Sequence, residues 1–258
     1  MPTLYLVPTP LGNPDDITLR ALRILREVSA AAADNAASIQ ALLDAHQIST
    51  RIISYPEALD ALNEGDIAIV SSTGSPGIGD SVEQIVREAI ARSIRVEPLP
   101  GANAAITALV LSGLPTDAFV YVGTLPDDLS RYAHERDTLI FATNDVTEPA
   151  WRLLSAFGDR QVCITRLTPT EWIYRGSISE ALTYFRDQSA GEFTLVVAGA
   201  PEEIAEVWDE ARVRMVLREH LRQGKPLKEA AKEVARLAGW DRRAVYALGV
   251  EEKGKSAR

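Results

Sequence analysis

At 258 residues, with 46% hydrophobic and 24% charged side chains, the chain has the make-up of a soluble globular protein and enough length for two compact units. Its formal net charge of -9 excludes a surface built uniformly to coat nucleic acid, which would need clustered Lys and Arg throughout. The single cysteine, Cys163, excludes an internal disulfide, and His46, His134 and His220 are too scattered to suggest zinc. No apolar run reaches the length of a membrane span and the start M-P-T-L-Y-L-V-P carries no targeting pattern, so no membrane and a cytoplasmic location are expected.

In chain order, Leu4 to Val7 predict a strand that Pro8-Thr9-Pro10-Leu11-Gly12-Asn13-Pro14 end in a rigid loop of small residues. Thr18 then caps a helix whose Leu19, Leu22, Ile24 and Leu25 lie on or near one face. The run Ala30 to Ala33 fits a short buried strand or a helix. Ala36 to Ala45 predicts helix, Arg51 to Tyr55 strand, and Glu57 to Asn63 a short helix.

Next comes Asp66 to Asp80, D-I-A-I-V-S-S-T-G-S-P-G-I-G-D, in which a buried parallel strand breaks into a glycine-rich loop. Such a loop at the carboxyl end of a strand is a place for a ligand, although Gly74, Gly77 and Gly79 fit no dinucleotide or P-loop pattern and also read as a tight turn. Ser81 to Arg92 is an amphipathic helix, Ile94 to Pro98 a strand, and Pro100-Gly101-Ala102-Asn103 a third small-residue loop before a helix over Ala104 to Leu111. One parallel sheet would bring the three loops to a single edge, where they could line one cleft.

Ser112-Gly113-Leu114-Pro115-Thr116-Asp117 reads as a linker. Beyond it, Phe119 to Val122, Thr138 to Ala142, Gln161 to Thr165, Trp172 to Arg175 and Phe193 to Ala198 predict strands of a second, mixed sheet, with helices at Glu148 to Phe157 and Ser179 to Asp187. Arg166 and Arg175 are read first as solvated charges at strand ends and second as groups reaching the cleft. Trp151, Trp172, Trp208 and Trp240 are read as core or interface aromatics.

After Ala200 the pattern is helical over Glu203 to Gln223, Leu227 to Leu237 and Arg242 to Gly249, with Ala230, Ala231, Val234, Val245, Tyr246 and Leu248 inward. The charge reverses here, through Arg214, Arg218, Arg222, Lys225, Lys228, Lys232, Arg236, Arg242 and Arg243. Two short helices around Ala238-Gly239-Trp240-Asp241 fit a helix-turn-helix module on a basic surface, or a plain helical cap.

Four segments together resemble one family: L-Y-L-V-P-T-P-L-G-N-P-D-D-I-T-L-R-A-L from Leu4, V-S-S-T-G-S-P-G-I-G-D from Val70, P-L-P-G-A-N-A-A-I-T-A-L from Pro98 and S-G-L-P-T-D from Ser112. With G-E-F-T-L-V-V-A-G from Gly191 and the tail L-K-E-A-A-K-E-V-A-R-L-A-G-W-D-R-R-A-V-Y, they are similar to the ribosomal RNA small-subunit methyltransferase I family of the tetrapyrrole methylase superfamily. That resemblance implies two α/β domains, 1–116 and 117–200, with a cofactor cleft between them and a helical module over 201–258 that helps hold RNA. It also implies S-adenosylmethionine as cofactor, methylation of a cytidine ribose 2′-hydroxyl in small-subunit rRNA, and a homodimer.

Carried over by resemblance, the cofactor positions are Leu11, Gly12, Ser72, Gly74, Ser75, Asn103 and Ala104. Leu11, Ile78, Ala104 and Leu167 offer an apolar wall for adenine, Leu167 reading more readily as core. A catalytic group is not identified beyond Asp34, read as a cleft carboxylate or a turn residue. Several family motifs are altered: Asp34-Asn35-Ala36-Ala37 replace Glu-Asp-Thr-Arg, Ser72 replaces an aspartate, and Ala142-Thr143-Asn144-Asp145-Val146 replace Glu-Ser-Pro-His-Arg. The stretch between Tyr55 and Glu64 lacks His-Glu-His-Asn, and Asp127-Asp128 stand in place of a basic loop. An active rRNA methyltransferase is therefore the first expectation. The alternatives are a degenerate paralogue that binds cofactor or RNA without turnover, and a small-molecule methylase of tetrapyrrole type.

Overall fold

A computed structural model describes residues 2–167, 171–186, 190–201 and 208–256. The chain divides into two compact units, residues 1–200 and 201–258. The expected start of the tail helix at Glu203 and the expected end of a helix at Asp187 lie outside the described residues.

The first sheet is parallel, β1 (Thr3–Val7), β2 (Ala30–Ala33), β3 (Ile52–Ser54), β4 (Ile67–Val70) and β5 (Arg95–Pro98), in the order β3-β2-β4-β1-β5. The strands alternate with α1 (Leu19–Glu27), α2 (Ala36–Ala45), α3 (Ala58–Ala61) and α4 (Val82–Ala91), and α5 (Ala104–Ser112) follows β5. Side chains on a strand point alternately to its two faces. Ala31, Ala33, Ala68 and Val70 therefore join Ile24, Leu25, Ile39 and Leu43 in one core, while Ala30, Ala32, Ile67 and Ile69 join Ala58, Val82 and Ala89 in another. The alanine run is thus a strand. Alanine's helical preference yields to pairing on both edges, with β3 and β4, and to burial on both faces.

Thr18 caps α1 by accepting from the Ala21 amide at 3.1 Å. Leu19, expected on the buried face, is 86% exposed, because the inward stripe is set by Ala21, Ile24 and Leu25 and the first residue after the cap lies off it.

The second sheet comprises β6 (Phe119–Thr124), β7 (Thr138–Asp145), β8 (Gln161–Arg166), β9 (Trp172–Ser177) and β10 (Ala190–Val197), in the order β6-β7-β10-β8-β9. β6 and β7 are parallel and the remaining pairs antiparallel. Leu139, Phe141, Ile164, Leu195 and Val197 face α6 (Thr147–Phe157) and α7 (Ile178–Tyr184). The opposite face, Ile140, Cys163 and Val196, is covered by Ala105, Ala108 and Leu109 of α5. The helix that leaves the first sheet therefore seals the second, which fixes the edges of the two sheets relative to each other. Arg175, a candidate for the cleft, instead donates its Nε to the Leu111 carbonyl at 2.8 Å and closes the end of α5. Ser112 belongs to α5 itself, and the left-handed Gly113 follows as its cap. Of the tryptophans, Trp172 stacks within the second unit of packing formed by Tyr174, Tyr184 and Phe185, whereas Trp151 is 62% exposed.

Gly199 lies where any Cβ would stand 1.8 Å from the Arg136 carbonyl oxygen. The obstacle is backbone and cannot swing aside. Gly199→Ala is expected to destabilise this unit by at least about 1–3 kcal/mol, the usual range for forced overpacking, read as a lower urea midpoint at unchanged slope.

The tail unit is α8 (Glu210–Arg222), α9 (Leu227–Ala238) and α10 (Arg242–Ser256), around Val213, Leu217, Ala230, Ala231, Val234 and Val245. Trp240 donates its indole N–H to the Trp208 carbonyl at 2.7 Å. α10 runs past Gly249, where the sequence pattern predicts its end. That glycine serves a close crossing instead, since a Cβ there would stand 2.3 Å from Leu227 Cδ1. Tyr246, expected inward, is 44% exposed. Glu252 on α10 is buried and accepts from Arg214 Nη1 at 3.0 Å and from Arg218 Nε. Two arginines of the apparent basic surface are therefore committed to an internal carboxylate.

Candidate functional site

The three small-residue loops follow β1, β4 and β5, which are neighbours with β1 in the middle. Val7 pairs with Val70 and Leu6 with Pro98, so the chain leaves all three strands at nearly the same height. Loop is then joined to loop. The Thr9 amide donates to the Gly74 carbonyl at 2.9 Å and the Gly74 amide to the Thr9 carbonyl at 3.1 Å. Thr9 Oγ1 donates to the Ser71 carbonyl at 2.9 Å, and Ser75 Oγ to the Ala102 carbonyl at 2.8 Å. Asp80 closes the glycine loop by accepting from the Gly77 amide at 2.9 Å and the Val82 amide at 3.1 Å.

Glycine is required at two of these contacts. At Gly74, φ is +72° and a Cβ would meet Leu11 Cδ2 at 3.0 Å; at Gly101 it would meet Pro8 Cβ at 2.5 Å. Asn103 caps α5 by accepting from the Ile106 amide at 3.0 Å.

The loops enclose one wall of a cavity of about 290 Å³, lined on their side by Leu11, Gly74, Ser75, Ile78, Asn103 and Ala104. The second sheet supplies the other wall. Because β8 runs in the direction of β7, and β10 against both, the ends of β7 and β8 meet the start of β10. Thr143 and Asn144, Thr165, and Glu192, Phe193 and Thr194 therefore gather there, with Tyr121 from β6. Leu167, read from the sequence as core, lines this cavity too. Burial and then the Asp80 carboxylate raise the Tyr121 phenol above its ordinary value, so it stays a neutral donor and acceptor at physiological pH.

Gly12 and Ser72 line a second, wider cavity of about 690 Å³, together with Asn35, Ser38 and Leu42 of the α2 side and Arg166 and Gly191 of the second sheet. Thr73 and Glu192 line both cavities, which therefore adjoin. The eight residues chosen from the sequence are thus divided six and two between neighbouring hollows.

Asp34, exposed at the end of β2, accepts from Ser72 Oγ at 2.8 Å and from the Asn35 amide at 2.8 Å. β2 is the neighbour of β4, so a carboxylate from one strand end stands beside the serine at the other. Tyr55 donates to the Val70 carbonyl at 2.8 Å; burial, then Asp34 and Asp80, push its phenol far above the ordinary range. The replaced motif at Ala142 to Val146 has a structural use: Asp145 Oδ1 accepts from the Val146 and Thr147 amides where the chain turns from β7 into α6. Among the described residues no group of three or more His, Cys, Asp or Glu is placed to hold a metal.

Of the second-sheet residues, the sequence marks Thr143 and Asn144 only within an altered family motif and Glu192 only within the family segment from Gly191, and it marks Tyr121 and Thr165 not at all. The start of β10 is irregular, with Gly191 at a φ of +145° and a register shift against β7 between Ala190 and Phe193.

Two α/β sheets with a cleft at the loop-bearing ends define a tetrapyrrole methylase. The family model for Tetrapyrrole (Corrin/Porphyrin) Methylases matches residues 3–182. Solved structures with the same fold include a cobalt precorrin-4 methyltransferase, with a TM-score of 0.61 at 16% identity over 76% of this chain and 94% of that one. They also include the uroporphyrin-III C-methyltransferase of Thermus thermophilus complexed with S-adenosyl homocysteine, with a TM-score of 0.57 at 20% identity over 75% and 91%. Within that class the chain belongs to the ribosomal RNA small subunit methyltransferase I family and is a methyltransferase. It is 38% identical to the member from Halalkalibacterium halodurans, over 97% of this chain and 95% of the relative, and 35% identical to that of Bacillus subtilis, over 95% and 93%. The model of the RsmI C-terminal HTH domain matches residues 208–253.

Proposed function

We propose that the chain transfers the methyl group of S-adenosylmethionine to the 2′-hydroxyl of a cytidine ribose in small-subunit rRNA. The observation that carries this reading is the pair of adjoining cavities sharing Thr73 and Glu192. The narrower one suits the donor, which supplies an electrophilic methyl carbon on a sulfonium. Its wall of Leu11, Ile78 and Ala104 matches an adenine face, and the hydroxyls and amides of Ser75, Asn103 and Thr143 match the polar edges. The wider one, with Gly12 and Ser72, suits the acceptor nucleotide.

Transfer requires an oxygen, a carbon and a sulfur in line, and the two walls hold donor and acceptor on opposite sides of Thr73. The hydroxyl proton needs a base. Glu192 is the carboxylate common to both cavities, and we assign it that role; Asp34, tied to Ser72 and to the Asn35 amide, orients the loop beside the acceptor. The cytoplasmic location and homodimer implied by the resemblance belong to the same proposal.

The test incubates the purified chain with methyl-labelled S-adenosylmethionine and small subunits lacking the modification. Label released as 2′-O-methylcytidine on nuclease digestion is expected; binding of the cofactor by calorimetry without transfer would favour a degenerate binding protein instead. Glu192→Gln is expected to lower kcat by about 100-fold or more with the affinity for S-adenosylhomocysteine unchanged.

A further inference from the structure

The wider cavity is lined by an arginine whose Nε has no acceptor among the described residues. Arg166 is the last residue of β8 and lines this cavity from the second sheet, opposite Gly12, Ser72 and the α2 residues Ser38 and Leu42. Its Nε is buried and meets no hydrogen-bond acceptor in the protein. Among the described residues no carboxylate lies within 4.0 Å of the guanidinium, although Glu192 lines the same cavity and Asp34 is joined to its wall through Ser72. A buried N–H left without an acceptor is unfavourable, and a group from outside the protein that enters the cavity can complete it. Arg175 donates to the Leu111 carbonyl and Arg152 lies 3.4 Å from Glu148, whereas Arg160, whose Nε is likewise buried without an acceptor, lines neither cavity and donates through Nη1 to the Ala198 carbonyl at 3.4 Å.

Gly191 lies beside this side chain: a Cβ there would stand 3.5 Å from Arg166 Cδ, an ordinary contact, so Arg166 runs along the start of β10. The planar fork of a guanidinium fits two oxygens of one anion.

Resting on the proposed methyl-transfer reading, we infer that Arg166 anchors a backbone phosphate of the acceptor RNA, next to the ribose that is methylated. The carboxylate of the methyl donor is the other anion of this chemistry. The cavities favour the phosphate: Thr165 and Leu167 on either side of Arg166 line the narrow donor cavity, whereas Arg166 itself lines only the wide one. One phosphate contact in this position also sets the nucleotide register, which a ribose hydroxyl common to every nucleotide cannot do.

The experiment measures, for the full chain, Arg166→Gln and Arg166→Lys, the affinity for S-adenosylhomocysteine by calorimetry and the affinity for small subunits by filter binding across a salt series. Arg166→Gln is expected to weaken subunit binding about 10-fold and to lower the slope of log affinity against log salt by about 0.7, the share of one phosphate on single-stranded RNA. Affinity for S-adenosylhomocysteine stays within about twofold, and Arg166→Lys recovers the salt slope because the charge is kept. A fall in S-adenosylhomocysteine affinity with subunit binding intact would assign the anion to the donor and overturn the inference. So would unchanged binding of both, or a loss of both that lysine does not rescue, which marks a packing role. Methylation by the wild type separates the two claims. If it methylates and the salt slope does not move, only the phosphate anchor fails; if the anchor behaves as expected and no methyl is transferred, only the proposed reaction fails.

Discussion

Gly74→Val is expected to lower affinity for S-adenosylhomocysteine by roughly 100-fold, equivalent to about 2.7 kcal/mol, while the chain remains folded. Two costs combine at this residue. A β-branched side chain at φ +72° is a backbone outlier, costing on the order of 1–2 kcal/mol. The new atoms also meet Leu11 Cδ2 at 3.0 Å and the Ala102 carbonyl at 3.4 Å, so relief requires the first and third loops to draw away from the second. Those are the loops whose bridges, Thr9 to Gly74 and Ser75 to Ala102, shape the donor wall. Gly77 provides the control. Its φ is +92° but a Cβ there meets nothing within 4 Å, so Gly77→Ala should cost backbone strain and little affinity. Calorimetry on both variants decides the matter, and equal losses at the two sites would show that strain alone, not closure of the cavity, sets the effect.

The second large effect lies in the tail. Glu252→Ala is expected to destabilise the tail unit, because Arg214 and Arg218 lose the buried carboxylate that ties α8 to α10, and Arg214 keeps only its exposed partners Glu210 and Glu251. Hydrogen bonds to Glu251, then Glu210 and Glu252, raise Arg214 well above its ordinary value, and Glu252 does the same for Arg218, so neither can shed its proton to escape. Limited proteolysis of the full chain should cut within 208–256 in the variant and not in the wild type. Affinity for S-adenosylhomocysteine should be unchanged, because none of the described residues lining either cavity belongs to this unit. Subunit binding should fall if the tail holds RNA.

Much of the first sheet was legible because its evidence is local. Ile67 to Val70 is an apolar run ended by glycines, and the proline-rich and Pro-Gly loops end their strands just as sharply. The alanine strand was ambiguous, since four alanines carry neither periodicity nor β-branching and only pairing with Ile52 to Ser54 and Ile67 to Val70 decides them. The loop side of the narrower cavity was legible for the same local reason. Its far wall was not: Thr143, Thr165 and Glu192 meet only because β10 runs against β7 and β8, and strand direction in a mixed sheet leaves little mark on any one strand. Gly12 and Ser72 stand beside the other chosen residues in sequence, yet a loop has two sides, and these two line the wider cavity. Gly249 misled for a related reason, a glycine read as a terminator where a neighbouring helix demanded one.

The order of the first sheet also bears on how the protein is made. Leu4, in the central strand, pairs with Ile67 on one edge and Val96 on the other. Of the strands of this sheet, the first to be synthesised is therefore the one whose two partners come last, and its edges stay unpaired until Val70 on one side and Pro98 on the other have been made. Such long-range pairing slows folding and leaves an apolar nascent segment open to wrong partners. The narrower cavity, which needs all three of these strand ends, cannot form before they have been made. Chaperone dependence and low yield on rapid synthesis are the expected signature, and a circular permutant that places β1 after β5 should refold faster than the natural order.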